Sequence, residues 1–335
     1  MKLFRKLKVL EVNNEYFIGS RGYSLYKYSF ENDKCSCIGH VKDKYSFLSY
    51  FFLTRRLFRA EINNLYTLSN GDQVVVAKKG LFRKGIYDIF FKKCFSIKRG
   101  TKPLNLCITP YNDIYWGEYF QNIEKNEVHI YHSSDFGKSW NVVYTFPKGE
   151  INHIHGIFWD KYADCIWIVT GDREDECIIA NTKDNFKSLN IIFRGGQEFR
   201  ATVLLFYEDA ILFGTDSQYI QNEIKRIDRK TLAITSIKKI QGSVIKGGQF
   251  ENVACISTTV EPSMVNKDKC SHLWFTRNGS DWKEIYSDEK DCLPSIFQFG
   301  CLEFPRYTSP IKNTLFFTGR ALKHTDGCSV MMHID

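Results

Sequence analysis

Val128-His129-Ile130-Tyr131-His132-Ser133-Ser134-Asp135-Phe136-Gly137-Lys138-Ser139-Trp140-Asn141-Val142-Val143-Tyr144 is the stretch whose reading decides the fold. On both flanks apolar and polar residues alternate, the period-two pattern of β-strands. Between them Ser134 to Ser139 read as a tight polar turn. Gly137 stands where the turn needs a positive φ, and Asp135 can accept hydrogen bonds from the turn amides. Trp140 can fold back over the hairpin as an apolar plug.

Outward from this hairpin, similar units recur at the ~40–50 residue period of a propeller blade. They cover residues 9–28, then 57–83 with the hairpin signal Asn70-Gly71, then 104–144 with the quoted stretch. A fourth spans 153–193, and its Asn181-Thr182-Lys183-Asp184-Asn185-Phe186 looks like a degenerate copy of the turn. A fifth spans 201–227, a sixth runs from 253 through Thr276-Arg277-Asn278-Gly279-Ser280-Asp281-Trp282, and a seventh starts at 296. The pattern predicts an all-β chain folded as one β-propeller domain over residues 1–335. Seven blades is the expected count and six the alternative, because the first and last units are the least regular. Residues 9–12 are expected to close the ring by pairing beside the last blade.

Ser134, Asp135, Gly137 and Trp140, with Ser139 in the usual place of a threonine, resemble the Asp box of BNR and sialidase-like propellers. That motif belongs to the outer part of a blade and marks architecture rather than activity. The resemblance extends over roughly residues 57–305. It rests on Arg99-Gly100, Pro103-Leu104, Trp116-Gly117-Glu118-Tyr119, His153-x-His155, Gly171-Asp172, Arg200, Gly214-Thr215-Asp216 and Glu261-Pro262-Ser263. Together these look like a bacterial, glycosyl-hydrolase-like family of the sialidase superfamily that accompanies surface-polysaccharide genes. The resemblance implies a carbohydrate partner without fixing a reaction. True sialidases use an arginine triad, a Tyr–Glu nucleophile pair and an Asp acid/base; their Arg-Ile-Pro signature is absent here. Arg21, Arg99, Arg200 and Arg320 are available, but no spacing picks out a triad.

Composition narrows the classes. The chain has 335 residues, 15% of them aromatic, and a formal charge of +8 with basic pairs at Arg55-Arg56, Lys78-Lys79 and Lys92-Lys93. Such pairs read first as a solvated surface. Their functional reading is attraction to an acidic ligand, an anionic glycan ahead of nucleic acid or a membrane surface. No run reaches the ~18 apolar residues of a membrane span, and no secretory leader is legible, so a cytoplasmic protein is expected. Eleven cysteines, scattered and without a C-x-x-C pair, read as buried hydrophobes in a reducing compartment. No P-loop or Gly-x-Gly-x-x-Gly element appears, so no cofactor is expected and nucleic acid is not a predicted partner.

The candidate site residues are polar interruptions near the ends of apolar runs, each with a plainer structural alternative. Glu118 could be a general acid or nucleophile, or an exposed strand carboxylate beside core aromatics. His153 and His155 share one strand face, where they could act as bases, bind sugar hydroxyls or be a structural pair. No third ligand stands at a convincing spacing, so no metal is expected. Asp172 and Asp216 follow Gly171 and Thr215, which is also ordinary turn chemistry. Arg200 could read a carboxylate or sulfate. Glu261 ends a strand before a proline, and Asn222 and Asp291 complete the polar set. Trp116 and Tyr119 are expected to serve as stacking platforms.

On successive blades these groups would point into one funnel. Three functions follow. A hydrolase would use two carboxyl groups among Glu118, Asp172, Asp216 and Glu261. A polysaccharide lyase would use Arg200 to neutralise a uronate and His153 or His155 to take the α-proton. A non-catalytic glycan-binding or assembly protein is the third.

Overall fold

The structure is a computed structural model that describes residues 1–309 and 311–334. Pro310 and Asp335, inside the expected 1–335 domain, lie outside the described residues. The described strands form seven antiparallel sheets in chain order, with one parallel pair, and each sheet has four strands except the first, which has five. The seven-blade count from the sequence holds, and the fold is an all-β seven-bladed β-propeller.

Contacts divide the chain into two compact units. One comprises residues 1–93, 246–261 and 268–335; the other comprises 94–245 and 262–267. Two of the borders fall inside strands Lys92–Ser96 and Ser243–Phe250.

The first unit holds the first, second, sixth and seventh sheets. In the first sheet Lys8–Val12, Tyr16–Arg21, Ser24–Ser29 and Cys35–His40 follow one another. The two chain ends meet here, by two pairings rather than the one expected. Lys2–Phe4 pairs antiparallel with the last strand, Ser329–His333, while Glu11 and Val12 run parallel to Arg306 and Tyr307. Apolar side chains from the first and second sheets share one core around Leu10, Leu25, Val75 and Phe82. A second core joins Cys255, Leu273, Leu315 and Phe317. Each buried Leu or Phe of this kind contributes ~1.5–3 kcal/mol relative to exposure.

One element departs from the expected blade pattern. Residues 57–58, read as the start of the second blade, belong to a short helix, α1 (Phe52–Phe58), and the blade begins at Asn64–Thr67. The aromatic run 50–52 obscured it. Arg59 ends the helix in the left-handed conformation, and its amide bonds back to Arg55 and Arg56. The helix turns Arg56 inward to 2% exposure, which corrects the reading of Arg55-Arg56 as solvated surface.

The second unit holds the third, fourth and fifth sheets. Its cores lie between consecutive sheets, one around Tyr115, Ile130, Ile157 and Ile168, the other around Trp167, Ile179, Leu204 and Phe213. Continuous apolar strands such as Cys165–Gly171 and Ala210–Gly214 are buried along their length because both faces are covered.

The quoted hairpin forms as read, with one correction. Strands Val128–Ser133 and Asn141–Phe146 flank the turn. Ser133, and not Ser134, donates its hydroxyl to Asp135 at 2.8 Å and accepts the Gly137 amide at 2.9 Å. Ser134 is exposed on the next position. Asp135 takes the amides of Lys138 and Ser139 and the Ser139 hydroxyl. Phe136 and Gly137 take φ of +60° and +77°. Burial alone would raise the Asp135 carboxyl, but these hydrogen bonds outweigh it and hold it at about 2. Trp140 is half-buried, edge-on to Phe95. Thr182–Asp184–Ser188 and Thr276–Asn278–Asp281 repeat the bonding pattern in the fourth and sixth sheets, again between third and fourth strands.

Candidate functional site

Six of the candidate residues converge in the second unit. His153 and His155 stand on the first strand of the fourth sheet, His153–Asp160. Pairing with Cys165–Gly171 skips from Ile154 to Gly156, leaving His155 as the extra residue of a bulge. Bulges re-aim side chains, and the two imidazoles lie with ring centroids 5.1 Å apart. Asp172 follows the next strand with φ +155°, uncommon for a residue with a side chain. Gly171 makes room beside it: a Cβ there would be 2.9 Å from His155 Cε1 and 3.1 Å from Arg200 Cγ.

The geometry is compact. His153 Nε2 lies 3.5 Å and His155 Nε2 3.4 Å from the Asp172 carboxylate. Arg200 places Nη2 3.0 Å from Asp172 and 3.4 Å from Asp216, so one guanidinium serves two carboxyl groups. Asn152 donates to Asp172 at 2.6 Å, and Gln197 and Arg200 donate to its backbone carbonyl. Tyr119 caps the pair, its ring 4.3 Å from that of His153.

Burial governs the titration of this cluster. It pushes His153 down to about 4, helped by His155 and opposed by Asp172. Burial would raise Asp172, but His155, His153 and Arg200 hold it well below the carboxylate range. Asp216, at 4% exposure, is raised by burial despite Arg200. The two aspartates are therefore driven apart, one ionised and one protonated more readily.

The remaining candidates are placed elsewhere. Glu118 is buried and held by Arg99 through both carboxylate oxygens, with the His129 amide on one of them. Trp116 is 1% exposed and stacked on Tyr131, so it packs the third sheet and offers no ligand platform. Asn222 is spent on Ser217, Thr215 and Asn266. Glu261 and Asp291 belong to the first unit. Glu261 follows strand Val253–Thr259, and Asp291 takes Arg56 and Lys290.

The first unit contains a cavity of about 820 Å³ that no single motif marks. Seven lysine and arginine side chains line it against three carboxylates, an excess of four positive charges. Arg21 and Arg320, two of the four arginines noted in the sequence, both reach it; Arg55 and Arg56 arrive from α1. Arg320 pairs with Glu303 at 2.9 Å and Lys8 with the same residue at 2.7 Å. Arg55 stands between Glu61 and Asp326, 3.6 Å from each. Burial raises the Asp326 carboxyl, with the Ala321 amide and Arg56 opposing. The sequence signals for this site were the Arg55-Arg56 pair, which reads equally well as surface, and Arg21 and Arg320, which no spacing joined.

No family model and no curated protein matches the chain. Similarity appears only in solved structures. A chain of the mitotic checkpoint complex aligns at TM-score 0.58 and 9% identity, covering 99% of this chain and 93% of that one. The WD40 β-propeller domain of Doa1 aligns at 0.57 and 9%, covering 98% and 95%. The extracellular domain of a putative one-component system from B. thetaiotaomicron aligns at 0.58 and 11%; the alignment covers 99% of this chain and 40% of that one. The 1037 matching chains span unrelated roles, so the likeness shows the propeller fold alone.

Proposed function

We propose that this is a carbohydrate-active β-propeller of the Asp-box, sialidase-like kind, and that it binds an acidic saccharide in the cationic cavity of the first unit. The observation that carries this reading is the cavity itself. Its ~820 Å³ lies in the range of small-ligand sites, ~300–1,000 Å³, and its lining has four surplus positive charges. Planar guanidinium groups suit carboxylate or sulfate substituents, which they grip through two parallel hydrogen bonds. The three serine- or threonine-anchored turns support the Asp-box attribution.

Hydrolysis is the reaction this cavity favours. Burial shifts the Asp326 carboxyl upward, the direction a general acid for a leaving glycosidic oxygen needs, and Glu61 across Arg55 supplies a second carboxyl group. The lyase reading is weaker because the Arg200 guanidinium already serves Asp172 and Asp216. Cysteines scattered along the chain without a C-x-x-C pair support a reducing compartment such as the cytoplasm.

The test is a panel of acidic and neutral bacterial polysaccharides read by calorimetry, by new reducing ends and by unsaturated-uronate absorbance. The expected result is salt-sensitive binding of acidic members, with reducing ends but no absorbance. Arg21→Ala should weaken binding ~10-fold, the worth of one charge-assisted hydrogen bond. Equal binding of neutral and acidic polymers, or none of either, overturns the proposal.

A further inference from the structure

We infer that His153, His155 and Asp172 form a binding site for a first-row divalent metal ion, separate from the saccharide cavity and independent of that reading. One ligand atom from each of the three lies within 4.8 Å of the others.

The hydrogen bonds behind the imidazoles carry the argument. His153 Nδ1 is 2.9 Å from the Phe120 carbonyl, and His155 Nδ1 is 2.9 Å from the Ala201 carbonyl. A carbonyl can only accept, so each Nδ1 carries the proton. In the neutral rings each Nε2 is then left with a lone pair, and both lone pairs face Asp172. A backbone carbonyl behind each ring is the usual support of a metal-bound histidine, because it fixes the tautomer and the ring plane.

Without a cation this arrangement is frustrated. The two Nε2 atoms stand 3.4–3.5 Å from the carboxylate, longer than the ~2.7–2.9 Å of a charge-assisted hydrogen bond. His153 Nε2 is buried and has no hydrogen-bond partner at all. The two contacts run to different carboxylate oxygens, Oδ2 for His153 and Oδ1 for His155, and each is close to the ~3.4 Å ligand–ligand edge of a tetrahedron whose metal–ligand bonds are ~2.0–2.1 Å. Asn152 and Arg200 hold the carboxylate in place. Two imidazoles and one carboxylate suit zinc, iron(II) or cobalt(II) better than calcium or magnesium, which prefer oxygen. Three protein ligands leave a position open for water or another small ligand.

The test uses the full chain, stripped with a chelator and titrated with cobalt(II) and then zinc(II). Expected are one ion per chain, the visible absorption of four- or five-coordinate cobalt, and its displacement by zinc. His153→Gln and Asp172→Asn should each weaken binding 10- to 1,000-fold while the thermal transition of the metal-free protein stays cooperative. Because a buried substitution could unfold the chain, Asn152→Ala is the second variant. It spares all three ligands and should cost 10- to 100-fold, the usual effect of removing a residue that orients a ligand. Absence of binding to the wild-type chain overturns the inference. So does an intense ultraviolet thiolate-to-cobalt band, which would assign the ion to the cysteines. Binding that is unchanged in His153→Gln overturns it as well.

Discussion

The cavity of the first unit and the His–Asp–Arg cluster of the second interrupt apolar sheets with charge in opposite ways. In the cavity cations outnumber carboxylates, and Arg5, Lys6 and Arg21 remain exposed to solvent. In the cluster a single guanidinium is shared by two carboxyl groups, and His153, His155, Arg200 and Asp216 are all below 9% exposure. Surplus charge survives where water reaches it, while buried charge is kept only when balanced or neutralised. An unbalanced, wet site is suited to capture a charged ligand from solution. A balanced, largely buried site that gathers two imidazoles and a carboxylate is suited to hold a small ion.

The strongest way to break this contrast is to remove the balancing cation. Arg200→Met leaves the buried Asp216 without its cation and removes one partner of Asp172, which keeps Asn152, and should cost ~3–5 kcal/mol in urea denaturation. Arg21→Met in the cavity should change stability by less than ~0.5 kcal/mol, because its charge is already solvated. Equal costs at the two positions would show that the two sites are not differently built.

Close packing around the cluster gives the next effect. Gly171→Ala puts a methyl 2.9 Å from His155 and 3.1 Å from Arg200, and should destabilise by ~1–3 kcal/mol. A neutral outcome in thermal unfolding would mean that the cluster can spread, contrary to a pre-set ion site.

Ionic strength sharpens the comparison from the ligand side. Raising salt from 0.05 to 0.5 M shortens the screening length from roughly 14 Å to 4 Å. Binding of an acidic saccharide at the exposed cavity should weaken ~10-fold, while occupancy of the buried cluster by cobalt(II) should stay within ~2-fold. Parallel losses at both sites would erase the distinction between wet and dry.

The smallest effect belongs to the hairpin. Asp135 has a depressed carboxyl, about 2 when folded against ~3.9 in an unfolded chain. The unfolded chain therefore binds the proton first, and the contribution of Asp135 is present above pH ~4 and lost as pH falls through about 2. Asp135→Asn should cost about 1 kcal/mol at pH 7, after allowance for solvent screening, and progressively less as pH falls from about 4 through about 2. A cost independent of pH would mean that shape, rather than charge, holds the turn.

The hairpin and its two relatives were legible in sequence because all their bonds join residues within a few positions of one another. The bonding serine was nevertheless misplaced by one, since Ser133 and Ser134 are adjacent and only the side facing Asp135 separates them. Trp116 misled for a related reason: an aromatic beside a carboxylate in a strand has the same spelling whether it faces a ligand or Tyr131. His153-x-His155 pointed to a shared face, but the missing third ligand came from Asp172 at the end of the paired strand. The cavity was the least legible feature, because its arginines arrive from places as far apart in sequence as a strand end, a two-turn helix and the penultimate strand.

Local rules therefore determined what could be read from the chain alone. Alternating apolar residues, turn chemistry and a recurring period specify strands, hairpins and seven blades, since each depends on neighbours in sequence. Tertiary structure alone decided which charges meet. Arg200 reaches Asp172 and Asp216, Glu118 is claimed by Arg99, and α1 carries Arg55 and Arg56 into a cavity. These outcomes depend on burial and on distances between residues far apart in sequence. Period and composition carry neither.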